Sequence, residues 1–248
     1  MKLSHAVVLI TGANRGLGRA LVQASLDAGA RRIYAGARNP AQLDEIVRTA
    51  PDRIVPLALD ITEPRSLEAA AAAAPDVTVL INNAGVLASY NVLASSRAAL
   101  EQDFATNLFG TLSATQAFLP ALARAGAAGG AALVNVLSVV SLASMPALGG
   151  YSAAKAAAFS ITQAMRGELA ARGIAVHAVL AGAIDTDMIR AMEMAMPKAN
   201  PAVVARAVIE GVELGLEDIT PDPISRDMVA MWRRDPKALE RQLAGLTG

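Results

Sequence analysis

Ala6-Val7-Val8-Leu9-Ile10-Thr11-Gly12-Ala13-Asn14-Arg15-Gly16-Leu17-Gly18 is the stretch on which the fold turns. The continuous apolar run over 6–10 leaves no solvated face, so it reads as a strand buried on both sides. A glycine-rich turn follows, and then a helix over 16–28. Gly12 permits the tight turn, while Gly16 and Gly18 let the backbone approach a pyrophosphate at the helix N-terminus. A glycine pattern alone is a weak signal. Its place between strand and helix gives it weight.

Similar apolar runs recur down the chain. Residues 33–37, 54–59, 77–81, 131–138, 174–180 and a short 218–220 read as strands. Between them lie helical stretches over 40–49, 68–74 (alanine-rich and stopped by Pro75), 97–124, 151–172 and 201–215, with a final helix around 227–243. No repeat or linker divides the series. This alternation predicts an α/β fold: one Rossmann-like domain over 1–248, a doubly wound parallel sheet of about seven strands with helices on both faces.

The chain is 248 residues long and 54% hydrophobic but 3% aromatic, so Ala, Val and Leu must fill its core. The 22 basic and 22 acidic residues balance, which gives no electrostatic reason to expect nucleic acid or an acidic membrane as partner. Without cysteine, and with His5 and His177 isolated, neither a disulfide framework nor a zinc site is expected. His177, inside an apolar run, reads as a core or strand-face residue. No charge occurs between Arg124 and Lys155, a length that could span a bilayer. Its glycines, serines, Asn135 and Pro146 instead suit a strand, an active-site loop and a helix start, so no membrane span is expected. Residues 1–5 lack a signal-peptide pattern, and the cytoplasm is the expected location.

Chemistry concentrates in Tyr151-Ser152-Ala153-Ala154-Lys155. On a helix Tyr151 and Lys155 share one face, one turn apart. A phenol titrates near pH 10 in water, and a fixed ammonium nearby should favour the phenolate. Gly149-Gly150 should place Tyr151 in the first turn, where the helix dipole acts the same way. Ser138 ends the run over 131–137, so its hydroxyl would project from a strand end into the same cleft. A Tyr and a Lys at this spacing also occur on ordinary helix surfaces, and only their company gives them meaning.

With Thr11-Gly12-Ala13-Asn14-Arg15-Gly16-Leu17-Gly18 before them and Asn82-Asn83-Ala84-Gly85 between, the sequence resembles the short-chain dehydrogenase/reductase family over about residues 6–188. The resemblance implies hydride transfer between a nicotinamide and a carbonyl or carbinol carbon. It implies Ser138, Tyr151 and Lys155 as catalytic residues, with Asn107 holding a water near Lys155. Mid-helix asparagine is disfavoured by propensity, and Asn107 could also be a merely tolerated polar residue. Ser141 ranks below Ser138 as hydroxyl donor. The family pattern places the cofactor against Gly12, Asn14, Arg15, Gly16, Leu17, Gly18, Asp60, Ile61, Asn83, Ala84, Gly85, Tyr151, Lys155, Gly182, Ile184 and Thr186. Asp60 would hold the adenine, and Asn82-Asn83-Ala84-Gly85 would mainly brace the sheet.

An acid at the end of the second strand would bind the ribose 2′-hydroxyl of NAD. Here the strand ends Gly36-Ala37-Arg38, and Arg15 lies in the glycine loop. Two guanidiniums suit a 2′-phosphate, so NADP(H) is favoured over NAD(H); the alternative is two solvated surface arginines. Ala181-Gly182 departs from the family's usual Pro-Gly, which should loosen that turn. Over 187–200 the chain holds Met188, Met192, Met194 and Met196. This segment reads either as an adaptable cover over a mostly apolar ketone or aldehyde, or as a short helix with an ordinary core face. No basic cluster there suits a sugar phosphate. Relatives pair their two long helices with symmetry mates, so a homotetramer or homodimer is expected. A nucleotide-sensing protein without turnover is the alternative function, though such proteins can lose the tyrosine or lysine retained here. An isomerase or dehydratase on a related fold would use a differently spaced glycine motif.

Overall fold

A computed structural model of the protein describes residues 1–190 and 197–246. The chain runs β1 (Val7–Thr11), α1 (Gly16–Asp27), β2 (Arg32–Ala37), α2 (Asp44–Val47), β3 (Ile54–Ala58), α3 (Pro64–Ala73) and β4 (Val79–Asn82). It continues with α4 (Arg97–Phe104), α5 (Thr111–Ala127), β5 (Ala131–Ser138), α6 (Gly149–Ala170) and β6 (Ile174–Ala181). Last come α7 (Asp187–Arg190), α8 (Pro201–Leu214), β7 (Asp218–Ile219), α9 (Pro223–Arg234) and α10 (Pro236–Gly245).

All seven strands join one parallel sheet in the order β3-β2-β1-β4-β5-β6-β7. The order reverses between β1 and β4, and such a switch opens a crevice at the C-terminal strand ends. Alternation along each strand supplies the two faces. Val8 and Ile10 pack with Leu21, Val22, Val204 and Val208 on the side of α1 and α8. Val7 and Leu9 pack with Phe118, Leu122, Met165 and Leu169 on the side of α5 and α6. Each of these fully buried side chains stabilises the fold by about 1.5–3 kcal/mol.

Three predicted elements come out differently. The helix expected over 40–49 is a 3₁₀ turn at Pro40–Leu43 followed by the four-residue α2. The helix expected over 97–124 is interrupted by a π-helical segment, Ala105–Gly110, between α4 and α5. The final helix is two, because Asp235 turns extended and caps the next helix, whose first residue is Pro236. A proline has no N–H for the preceding helix, so the break falls there.

α9 and α10 fold back over the segment after β5. Met228, Leu239 and Leu243 pack with Val139, Val140, Met145 and Leu148 in a cluster of their own, with Tyr151 at its edge. His177 is buried in β6 and bonded to the carbonyl of Leu216 at 2.6 Å, consistent with a core role. Among the described residues no helix is long and apolar enough to cross a membrane.

Candidate active site

One cavity of about 720 Å³ runs along the C-terminal ends of β1, β4, β5 and β6. That size lies within the roughly 300–1,000 Å³ of ligand clefts. Every cofactor-contact residue expected from the sequence lines it, including Arg15, Arg38, Asp60, Ile61, Ile184 and Thr186. So do Ser138, Tyr151 and Lys155. Asn107 does not; it lies fully buried behind Gly85.

The glycine loop fits a dinucleotide for a steric reason. Gly12 and Gly16 adopt φ of 65° and 53°, a region that favours glycine. A Cβ at Gly18 would overlap the Gly12 carbonyl oxygen and come within 2.6 Å of Asn83 Nδ2. The helix therefore starts in contact with the turn, and its first residues, Gly16, Leu17 and Gly18, line the cavity, where helix N–H groups favour an anion. Asn83 holds this arrangement, with Nδ2 donating to the carbonyls of Thr11 (2.9 Å) and Gly12 (3.1 Å). Thr11 Oγ1 accepts from the N–H groups of Asn83 and Ala84. Asn82 braces the sheet below, donating to Asn135 Oδ1 at 2.9 Å, and Asn135 in turn donates to Thr162 on α6.

At the other end α6 begins at Gly149, which puts Tyr151 in its first turn as expected. Lys155, one turn on and buried, donates to the carbonyl of Val136 at 2.9 Å. Its ammonium stands 5.7 Å from the centre of the Tyr151 ring. Burial lowers the Lys155 pKa to about 8, against an upward pull from Asp103. The expected lowering of the Tyr151 pKa is not what this geometry gives. Burial, and secondly the negative charge of Asp103, push it well above the usual phenol value. Desolvation of the phenolate outweighs an ammonium already committed to a carbonyl.

Ser138 ends β5 with its hydroxyl accepting from Val140 N–H at 3.3 Å. Ser141 is buried, accepts from Ser138 N–H, and does not line the cavity, which agrees with its lower rank. Asn107 sits in the π-helical segment, where the wider turn breaks regular spacing. Its amide donates to the Val86 carbonyl (2.9 Å) and accepts from Val86 N–H (3.2 Å). A Cβ on Gly85 would lie 2.8 Å from Asn107 Oδ1 and 3.7 Å from Lys155 Nζ, so glycine lets these groups converge.

Arg15 and Arg38 both line the cavity, and Arg15 pairs with Asp187, also in its wall, at 3.5 Å. Asp60 holds its own turn by accepting from Thr62 N–H and Oγ1. The turn after β6, expected to be loose, is held from elsewhere: Asp222 Oδ2 accepts from Gly182 N–H at 2.9 Å. Met188 and Ile189 reach the cavity, whereas Met192, Met194 and Met196 lie outside the described residues.

Sequence reading missed Gln42, which accepts from Asn14 at 2.9 Å, and Asp103, Asp222 and Leu243. Asp222-Pro223 is a helix-start signal visible in sequence. Nothing local announces its bond to Gly182.

A sequence model described as short chain dehydrogenase matches residues 6–196. The protein is 34% identical to the short chain dehydrogenase pigC of Monascus ruber over 75% of this chain and 65% of that one. It is 34% identical to the D-erythrulose reductase of Gallus gallus over 80% of this chain and 78% of that one. Among solved structures, a short chain dehydrogenase from Burkholderia cenocepacia in complex with NADP superposes with a TM-score of 0.90 at 36% identity, covering 98% of this chain and 99% of that one. With a glycine cradle, a buried lysine and a first-turn tyrosine around one cavity, the chain belongs to the short chain dehydrogenases, an oxidoreductase family that works with a nicotinamide cofactor.

Proposed function

We propose that the protein is an NADP(H)-dependent oxidoreductase that reduces the carbonyl of a mostly apolar ketone or aldehyde. The observation that carries this reading is the opening of Ser138, Tyr151 and Lys155 onto the same cavity as the glycine loop. When bound there, the nicotinamide supplies the hydride. The Ser138 hydroxyl donates to the substrate's carbonyl oxygen, and the Tyr151 phenol delivers a proton to that oxygen as charge builds on it. A phenol pKa raised by burial suits this direction, since reduction needs the protonated form. Lys155, still an ammonium at neutral pH, holds the ribose hydroxyls and resupplies the proton. Asn107, buried behind Gly85, would join it to solvent through a water.

Arg15 and Arg38 would bind the ribose 2′-phosphate. The pair between Arg15 and Asp187 is exposed and worth only about 0–1 kcal/mol, so a phosphate can replace it. The wall of Val140, Met145, Leu148 and Leu243 supports an apolar substituent on the substrate. The chain would act as one cytoplasmic domain, with Met188 and Ile189 covering the substrate. Self-association into a dimer or tetramer through α4, α5 and α6 belongs to this reading. Its support is Phe109, 57% exposed in the π-helical segment. Of the apolar residues of α6, Ala158, Phe159 and Met165 serve the chain's own core instead.

The test is NADPH oxidation with a panel of carbonyl compounds, for wild type and Tyr151→Phe, beside a fluorescence titration of NADPH. Tyr151→Phe should abolish turnover and leave cofactor binding nearly intact. Retention of more than about a tenth of kcat, a barrier change under roughly 1.4 kcal/mol, would end the assignment. Tight NADPH binding by wild type without any turnover would favour a sensor.

A further inference from the structure

Beneath the cavity lies a buried carboxylate that the reaction as described leaves unused. Asp103 is fully shielded from solvent and stands in α4 four residues before Asn107. Both side chains grip one loop. Asn107 holds Val86 by its N–H and its carbonyl. Asp103 accepts from the N–H groups of Ala88 (2.9 Å) and Ser89 (3.0 Å) and from the Ser89 hydroxyl. Hydrogen bonds to an ionised acceptor are among the stronger ones, and three of them offset much of the cost of burying the charge.

The far side of that loop presses on the start of α6. A Cβ on Gly150 would overlap Ser89 Oγ and Leu100 Cδ2, and one on Gly149 would overlap Val92 Cγ2. Gly149 N–H also donates to the Tyr90 carbonyl at 3.1 Å. Tyr151 follows Gly150 directly. The packing leaves no room for even a Cβ at either glycine, so a shift of the loop is passed to the helix end that carries the phenol.

We propose that Asp103 is a positioning residue: through Ser89 it seats the loop of residues 86–92 against Gly149 and Gly150 and thereby places the Tyr151 hydroxyl. The role rests on the reading of Tyr151 as proton donor. Asp103 also adds its charge to the site, where it favours the protonated form of both Tyr151 and Lys155. Among the described residues these three ionisable groups face one another here. β5 contributes Ser138 to the phenol's surroundings, the segment 139–148 carries no charged residue, and α9 and α10 meet that cluster with Met228, Leu239 and Leu243.

The test compares Asp103→Asn, Ser89→Ala and Tyr151→Phe by pH profiles of kcat/KM in alcohol oxidation, NADPH titration and thermal melting. Asp103→Asn should lower kcat about tenfold, within the up-to-hundredfold effect of a 1 Å misplacement, with NADPH affinity unchanged. Removing the negative charge should also move the alkaline-rising limb, where the phenol becomes the base, toward lower pH. Ser89→Ala keeps the charge, so its kcat should fall about threefold at an unshifted profile. An unchanged kcat in Asp103→Asn or in Ser89→Ala, or a fall matched by an equal loss of NADPH affinity, overturns the proposal. If Asp103→Asn does not fold, Ser89→Ala decides alone on the same criterion. A Tyr151→Phe variant that keeps its activity would sink the donor assignment itself. An inactive one beside an unaltered Asp103→Asn overturns only the positioning role.

Discussion

Replacing Asp222 by alanine should damage stability and cofactor binding together, by amounts the structure sets. The carboxylate is 2% exposed, and its two oxygens accept from Gly182 N–H at 2.9 Å and Ser225 N–H at 2.8 Å. Loss of the cap on α9 costs about 0.5–2 kcal/mol. Leaving the Gly182 N–H without its partner costs about 1–3 kcal/mol more. A total near 3 kcal/mol lowers Tm by about 6–12 °C in a chain of this length. Gly182 lines the cavity, so freeing its turn means that binding must order it again. At about 0.5–1.5 kcal/mol for that ordering, the Kd for NADPH rises roughly two- to twelvefold. Differential scanning calorimetry and a fluorescence titration read the two effects. Asp222→Asn, which keeps the shape and one acceptor, should fall between wild type and alanine. A Tm drop below about 2 °C would refute the energetic reasoning. The full drop with an unchanged Kd would show that Asp222 does not stand in for the missing proline.

Three further outcomes are expected. Ala37→Asp combined with Arg38→Ser should move preference from NADPH toward NADH, because the new carboxylate repels a 2′-phosphate and accepts from a free hydroxyl. A wild type that already prefers NADH in kcat/KM would defeat the arginine argument. Burial holds the Lys155 pKa at about 8, below the roughly 10.4 of a free lysine. Between these values the unfolded chain binds more protons than the folded one, so this residue's contribution makes stability rise with pH across that window. Lys155→Met should remove that rise in urea unfolding at pH 7.5 and 9.5, and equal pH dependence of the two proteins would contradict it. Light scattering at micromolar concentration should report a dimer or tetramer, and a monomer would refute self-association.

The sheet, the glycine loop and the first-turn position of Tyr151 were legible in the residues alone. These follow from local rules: apolar runs for doubly buried strands, glycine where a Cβ cannot fit, and spacing of four along a helix. Even the break before Pro236 and the cap at Asp222 were written locally, in Asp-Pro pairs whose meaning is a helix start. Other features depend on partners far apart in the chain and emerge only on folding. Asp222 meets Gly182 from 40 residues away and steadies a turn that its own residues leave loose. Asp103 reaches Ser89, and Ser89 touches Gly150, a chain of contacts that no periodicity encodes. The sign of the Tyr151 shift belongs here too. Spacing brings an ammonium near the phenol, but the depth of burial and the charge on Asp103 set the balance, and both exist only once the chain has folded around them.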